Sequence, residues 1–334
     1  MAESFKLDKK DIKIIHSLCK NSRQSFSHIA SVVGLSKNSV SYRVDRLLKN
    51  KIIHSFNTTV NIGALGYYTY NVLIKLRASP EEEKQVHDFL AEFPFTDWLA
   101  TLSGSWDILL ELVVKDTDHF EQILDKIFEA VGDKIEVYKT FISRYVYKVL
   151  PIAQDFFGDI KLSEQETDRE QGIISIDKTD AKLLSIISAD ALIPVYKLGE
   201  KLNLSSDAVT YRIKKLKKSG IIAKFAPTFN IENLGYSEYL IMISLRNPKK
   251  EDFKKLKSHI VLNKNIQYAV LGSTSYEILM TAQVKNPIEL DHLLKDLKNS
   301  FFNIINTTEF FLITDHPQFN LFPSGLVNHL FINK

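Results

Sequence analysis

Apolar residues follow two different periods along this chain, and the switch between them happens twice. After Asp8, the apolar positions Ile12, Ile14, Ile15, Leu18 and Cys19 mark a helix with one buried face. A short second helix is expected over about Ser25–Val33, closed by Gly34. A third starts at Ser36, whose hydroxyl can cap an orphan backbone N–H. Val40, Val44 and Leu47 fall at i, i+4 and i+7 of that third helix and form its buried stripe. Ser39, Tyr42 and Arg46 form a polar stripe beside it, with Arg43 at the boundary. The β-prone stretch Ile52–Val60 reads as a small wing hairpin, completing a winged helix-turn-helix.

Beyond the wing the period becomes two. Tyr68–Leu76 reads as a strand, Pro80–Phe93 as a helix, Thr96–Leu102 and Trp106–Val114 as strands, Thr117–Ala130 as a helix and Ile135–Val149 as a strand. This β-α-β-β-α-β order is the ferredoxin-like arrangement. The grammar then starts again. Leu7–Leu76 lies on Ile176–Leu245 without a gap, and Leu35-Ser36, Tyr42-Arg43, Ile52-Ile53 and Leu65-Gly66-Tyr67 return as Leu204-Ser205, Tyr211-Arg212, Ile221-Ile222 and Leu234-Gly235-Tyr236. In the second copy Pro194 suits the first turn of the second helix, Ser205 caps the third, and Val209, Ile213 and Leu216 point inward. The second strand stretch is Ile221–Phe229. Tyr239–Leu245, Ile266–Val270, Tyr276–Val284 and Phe302–Ile313 read as strands, with helices over Pro248–Leu262 and Pro287–Leu297.

The fold class is therefore α+β, two copies of a winged helix-turn-helix followed by a ferredoxin-like βαββαβ domain. The boundaries are a first helix-turn-helix domain over residues 1–62, its ferredoxin-like domain over 63–151 and an acidic linker over 152–175. The second helix-turn-helix domain spans 176–231, its ferredoxin-like domain 232–315 and a C-terminal tail 316–334. A duplicated unit of this length can carry both partners of a two-fold dimer in one chain.

Composition changes the picture little. A 45% hydrophobic and 25% charged content is that of an ordinary globular protein, and no apolar run approaches a membrane span. The first residues have no signal-peptide core, and the single cysteine, Cys19, suits a reducing cytoplasm as a small buried residue. The net charge of +3 says nothing alone, but its placement does. Ser36–His54 holds Lys37, Arg43, Arg46, Lys49 and Lys51 against Asp45. Ser205–Lys224 holds Arg212, Lys214, Lys215, Lys217, Lys218 and Lys224 against Asp207. Positive charge at one place in both copies points to a polyanion-binding surface.

An α-helix fits the DNA major groove, with Lys and Arg on phosphates and exposed residues near the helix start on base edges. The candidates are Lys37, Asn38, Ser39, Tyr42, Arg43 and Arg46 in the first copy. In the second they are Ser206, Tyr211, Arg212, Lys214, Lys215 and Lys218, on a helix whose start also carries Asp207 and Ala208. Tyr42 and Tyr211 could instead pack on the first helix, and Arg43 and Arg212 could form internal salt bridges to Asp11 and Asp180. Because Lys37-Asn38-Ser39 differs from Ser206-Asp207-Ala208, the chain is expected to read two unlike half-sites in double-stranded DNA.

Leu35-Ser36 through Leu47, followed by Ile52-Ile53, resembles the helix-turn-helix signature of the Lrp/AsnC transcriptional regulators. Asn61-Ile62-Gly-Ala-Leu65-Gly66-Tyr67 resembles that family's hinge, and Gly104-Ser-Trp-Asp107 its Gly-x-x-Asp turn. The resemblance covers nearly the whole chain twice. It implies a pair of effector domains that associate with each other, further self-association of the resulting pseudo-dimers, and an amino acid or related small metabolite bound near the Gly-x-x-Asp turn. The effector candidates are Gly104 and Asp107, with Gly272 and Glu277 in the second copy, where one extra residue within Leu271–Leu279 and the change to glutamate depart from the pattern. Gly104 and Asp107 also suit simple turn geometry.

No cofactor, metal site or catalytic constellation is expected. The nine histidines are scattered, and none recurs at an equivalent position. Two other readings use the same architecture: an enzyme like the siroheme decarboxylases, in which the helix-turn-helix does not read promoters, and a ligand sensor that does not bind DNA. The retained basic third helices favour a regulator.

Overall fold

In a computed structural model that describes residues 6–162, 172–274 and 276–331, both copies adopt the expected order of elements. The first helix-turn-helix consists of α1 (Lys9–Lys20), α2 (Phe26–Val33) and α3 (Lys37–Lys49), followed by strand β1 (Ile53–Val60). Its ferredoxin-like domain is β2 (Tyr68–Leu76), α4 (Pro80–Glu92), β3 (Thr96–Ser103), β4 (Ile108–Val114), α5 (Thr117–Val131) and β5 (Ile135–Val149). The second copy comprises α6 (Lys178–Ala189), α7 (Val195–Leu202), α8 (Ser206–Lys218) and β6 (Ile222–Phe229). It continues through β7 (Ser237–Leu245), α9 (Lys250–Leu262), β8 (Ile266–Thr274), β9 (Ile278–Val284), α10 (Pro287–Phe301) and β10 (Ile305–Phe319), and ends in a short helix α11 (Leu326–His329).

The caps explain the boundaries. Asp8 accepts from the backbone N–H groups of Lys10 and Asp11, and Asp11 returns a bond to the Asp8 N–H, a capping box. Ser36 and Ser205 cap α3 and α8 through the N–H groups of Ser39 and Ala208. The left-handed residue that ends the second helix is Gly34 in one copy and Asn203 in the other, the two residue types that tolerate it best. Pro194 occupies the cap of α7, one position before the helix.

The wing hairpins expected from sequence do not form. Each copy contributes one strand, and β1 pairs antiparallel with β6 of the other copy, from Ile53 opposite Phe229 to Val60 opposite Ile222. A single eight-residue strand has no turn on which to fold back, so its backbone groups find partners across the pseudo-two-fold. Asn57 Nδ2 donates to the Ser188 carbonyl at 3.0 Å and the Ser22 N–H to the Phe225 carbonyl at 2.9 Å, tying the end of each first helix to the opposite copy's strand, and Arg23 Nη1 joins the two turns through the Ala191 carbonyl at 2.5 Å. One core runs through both helix-turn-helix units, with Ile14, Val40 and Leu47 on one side and Leu183, Val209 and Leu216 on the other.

The ferredoxin-like sheets close on each other. Their strands form one eight-stranded barrel in the order β10-β3-β4-β2-β5-β8-β9-β7, in which the last strand of each copy pairs with the second strand of the other. Leu73, Trp98, Leu109, Phe141, Leu240, Met242 and Phe311 fill it, while α4, α5, α9 and α10 cover the outside. The β5–β8 seam requires glycine at Gly272, where a Cβ would lie 2.6 Å from the Ile142 carbonyl and closer still to the Phe141 ring.

The barrel also holds a buried polar layer. Asn71 donates to the Ser143 hydroxyl at 3.1 Å, and Trp98 Nε1 donates to His316 Nδ1 at 3.0 Å, whose Nε2 faces Glu238 at 3.0 Å. Asp97 and Glu111 are buried side by side, and burial followed by the neighbouring Glu111 pushes the Asp97 carboxyl well above its usual range. The raised value means that the contribution of Asp97 is fully present below the unfolded carboxyl value and is lost as pH rises through the folded one. Asp97→Asn is therefore expected to gain about 1–3 kcal/mol at pH 8 and little at pH 4, read from urea denaturation at both values. A destabilised variant at pH 8 would refute the penalty assigned to burying Asp97 beside Glu111.

The segments after the two barrel halves are packed straps. The strand β10 runs to Phe319, four residues past the boundary placed at 315. Residues 152–162, expected as the start of a linker, bury Ile152, Ala153, Phe157 and Leu162. The acidic Glu164, Glu166, Asp168 and Glu170 lie outside the described residues. The first strap crosses to the second copy, where Asp155 receives Tyr236 Oη at 3.0 Å, Lys285 Nζ at 2.7 Å and Lys264 Nζ at 2.6 Å. The C-terminal tail makes the reciprocal crossing: the Asn320 N–H reaches the Asp97 carbonyl, the Gly325 N–H the Pro94 carbonyl, and His329 Nδ1 lies 2.8 Å from Tyr67 Oη. Phe322 and Leu326 are fully buried there.

Candidate nucleic-acid interface and effector turn

The two third helices, α3 and α8, are held in place by buried carboxylates on the first helices. Asp11 and Asp180 are both 0% exposed. Arg43 Nη1 donates to Asp8 at 2.8 Å and to Asp11 at 2.7 Å, and Arg46 Nη2 reaches the other Asp11 oxygen at 2.7 Å. The second copy repeats the lock with Arg212 on Asp177 and Asp180, both at 2.6 Å, but Lys215 stands 3.5 Å from Asp180. The bonds to Asp8 and Asp11 raise the Arg43 guanidinium above its already high value, and Asp177 and Asp180 do the same for Arg212. Of the two sequence readings of these arginines, the geometry realises the internal salt bridge. Arg46 and Lys215 join the same networks.

The remaining candidates face solvent. Tyr42 and Tyr211 are 67% and 68% exposed, so neither packs on its first helix. Lys37 and Asn38 are exposed and Ser39 is half-buried at the start of α3. Ser206, Lys214 and Lys218 are exposed on α8. Helical spacing joins these into one outward stripe per copy: Asn38, Tyr42, Asp45 and Lys49 on α3, and Asp207, Tyr211, Lys214 and Lys218 on α8. Lys49 was not among the sequence candidates, although its seven-residue spacing from Tyr42 was available to find it. The stripes differ most at the third position, where Asp45 stands against Lys214.

The Gly-x-x-Asp turn is built by hydrogen bonds to the neighbouring strand. Asp107 takes the Leu76 N–H at 2.8 Å and Lys75 Nζ at 2.9 Å, and Gly104 has φ +144°. Glu277 does the same work in the second copy, accepting the Leu245 N–H at 2.6 Å, so the longer side chain reaches the equivalent backbone group. Within this second turn Ser275 lies outside the described residues. Gly272 lies on the β5–β8 seam, and its N–H donates to the Glu277 carbonyl at 2.8 Å as the Leu102 N–H does to the Asp107 carbonyl, so Gly272 is the counterpart of Leu102 rather than of Gly104 and the second turn holds no extra residue. No group of three His, Cys, Asp or Glu side chains suited to a metal ion occurs among the described residues, and no helix among them is long and apolar enough to cross a membrane.

Comparison with known proteins follows the same division. Residues 7–48 match the AsnC-type helix-turn-helix domain, residues 70–148 the Lrp/AsnC ligand binding domain and residues 176–223 a winged helix-turn-helix DNA-binding domain. An uncharacterised HTH-type transcriptional regulator of Pyrococcus furiosus is 33% identical over 129 residues, 38% of this chain and 86% of that protein. The regulator FL11 of Pyrococcus abyssi is 26% identical over 145 residues, 43% of this chain and 94% of FL11. Over the whole length, the crystal structure of the siroheme decarboxylase NirDL superposes with a TM-score of 0.64 at 12% identity, covering 96% of this chain and 97% of NirDL. At that identity the likeness shows a shared duplicated architecture and nothing about chemistry. The domain matches and the archaeal relatives carry the assignment: the chain belongs to the Lrp/AsnC family of transcriptional regulators.

Proposed function

We propose that this regulator binds an asymmetric pair of DNA half-sites with α3 and α8, without a second copy of the chain. The observation that carries this reading is the pair of unequal outward stripes, one bearing Asn38 and Asp45 where the other bears Asp207 and Lys214, on helices whose inner cations are already neutralised. Lys37, Asn38, Ser39, Tyr42 and Lys49 contact one half-site, and Ser206, Tyr211, Lys214 and Lys218 the other. Arg43, Arg46, Arg212 and Lys215 position the helices. The effector domains bind an amino acid or related small metabolite and mediate self-association of pseudo-dimers. The protein acts in the cytoplasm as a DNA-binding protein rather than an enzyme.

The test is a mobility-shift salt series on a site selected from random DNA. Lys214→Ala with Lys218→Ala is expected to weaken binding to all sequences and to reduce the slope of log K against log salt by about 2. An unchanged slope, or a selected site that is a perfect palindrome equally sensitive in both halves, would overturn the reading. The whole-chain likeness to a decarboxylase makes porphyrin titration the matching control: a Soret band from bound tetrapyrrole would transfer the chain to the enzyme reading.

A further inference from the structure

We propose that the outer face of β2 and β5 in the first copy binds one small aromatic carboxylate per chain. A cleft of about 550 Å³ opens there beside the start of α5, within the size range of small-molecule sites. Tyr68, Tyr70, Ile142 and Tyr145 supply an apolar and aromatic wall, and Arg144 and Asp116 the charge. Tyr70 forms the floor, held edge-on against Phe120 with ring centroids 4.8 Å apart. Tyr145 is 53% exposed, a ring face open to a planar partner.

Arg144 selects the ligand's charge. The register of β5 against β8 slips between Ser143 and Tyr145, and such a bulge re-aims the side chain it carries. The exposed Arg144 guanidinium lies 5.7 Å from the Tyr145 ring centroid and makes no ion pair of 4.0 Å or less with a carboxylate among the described residues. A planar cation beside exposed tyrosine rings fits a carboxylate carried on an aromatic ring system. Asp116 is the other charged wall, but one of its oxygens caps α5 by accepting the His119 N–H at 2.9 Å. Its second oxygen leaves room for an α-ammonium group, so aromatic amino acids and amine-free aromatic acids share the same recognition chemistry.

The second copy is an internal control. Its nine-residue β7 and fifteen-residue β10 match β2 and β5 position for position, placing Ser237 for Tyr68, Thr314 for Arg144 and Asp315 for Tyr145. Asn286 caps α10 where Asp116 caps α5. The cation is lost and a carboxylate gained, so the duplicated site cannot hold the same anion. The cleft also adjoins the hinge, because Tyr68 follows Tyr67, the residue that holds the C-terminal tail. An effect of the ligand on DNA affinity rests on the regulator reading, whereas binding itself does not.

The test uses the full chain, saturation-transfer NMR and calorimetry, with phenylacetate, indole-3-acetate, L-phenylalanine and L-tryptophan as probes. The expected result is ring-proton saturation transfer and one site per chain. Arg144→Gln should weaken binding at least about tenfold, the loss of a charge-assisted bond, with the circular dichroism spectrum unchanged. Tyr145→Ala should weaken it too, while Thr314→Val should not. Binding confined to the amino acids would assign the Asp116 oxygen to the ammonium; binding of both kinds would leave the carboxylate and ring as the determinants. No transfer to any probe, two equivalent sites per chain, or unaltered affinity in Arg144→Gln would overturn the proposal. Because no DNA is present, failure here is separate from failure of the DNA reading.

Discussion

Asp11→Ala is expected to lower unfolding stability by about 3–5 kcal/mol, the range for breaking one member of a buried ion pair. The carboxylate is fully buried and receives both Arg43 and Arg46, while its other oxygen contact runs to the Asp8 N–H at 3.0 Å. Alanine there strands two guanidinium groups between α1 and α3 and opens the capping box. Asp180→Ala removes the same node from the second copy, where Lys215 is 3.5 Å away, and the loss is expected to be smaller. Urea denaturation followed by circular dichroism measures both. Equal losses in the two copies would refute the inequality of the locks, and no loss in either would refute the locks themselves. DNA affinity should fall with stability, because α3 and α8 are aimed by these contacts rather than by their own packing stripes alone.

Acidification between pH 6.5 and 4.5 is expected to release the C-terminal tail and to leave the first strap in place. His329 stacks on His119 with centroids 4.0 Å apart, against Phe95 and Tyr67. The Lys115 N–H donates to His119 Nδ1 at 3.1 Å, so a second proton on that ring has to break this bond. Burial first, and then the neighbouring His329, push His119 down to about 4, against the opposing pull of Asp116. Burial lowers His329 too, with Lys115 and Lys126 adding to it and Asp116 opposing.

Both folded values lie below the unfolded one, so the contribution is present above about pH 6.5 and lost as pH falls toward the folded values. With allowance for partial solvent access the effect is about 1–2 kcal/mol. The strap through residues 150–162 is held differently. Burial tends to raise Asp155, but Lys264, Lys285 and Tyr236 overcome it and hold the carboxyl at about 2. That strap is lost only as pH falls below about 3.8 toward 2. Hydrogen exchange should show residues 320–331 losing protection at pH 4.5 while residues 150–162 keep theirs, and His329→Gln should flatten the difference. Simultaneous loss in both segments would refute the distinction.

Much of the interface was legible as residue type and spacing. The Asp8, Asp11, Arg43 pattern recurs as Asp177, Asp180, Arg212, and either an internal lock or a DNA contact was compatible with it. What decided between them was the depth of Asp11 and Asp180, which depends on how α1 and α6 sit over the third helices. The same holds for Tyr42 and Tyr211, whose exposure follows from the rotation of a helix about its axis. The Gly104–Asp107 turn was correctly located, but the partner of Asp107, the Leu76 N–H, is a backbone group, and no side-chain pattern records it.

The local elements follow from the chain itself, because caps and the two hydrophobic periods act over a few residues. Asp8, Ser36, Gly34 and the shift from period 3.6 to period 2 suffice to order helix, turn, helix, strand in both copies. Tertiary structure alone decided where strand edges find partners. β1 and β6 have no local mate, so their N–H and C=O groups pair across the pseudo-two-fold rather than in two wings, and β5 and β10 close the barrel for the same reason. It also placed Arg144 at a bulge beside Tyr68 and seated His329 on His119, residues far apart in sequence. Such contacts carry no periodic signature, since they depend on which copy each strap crosses to.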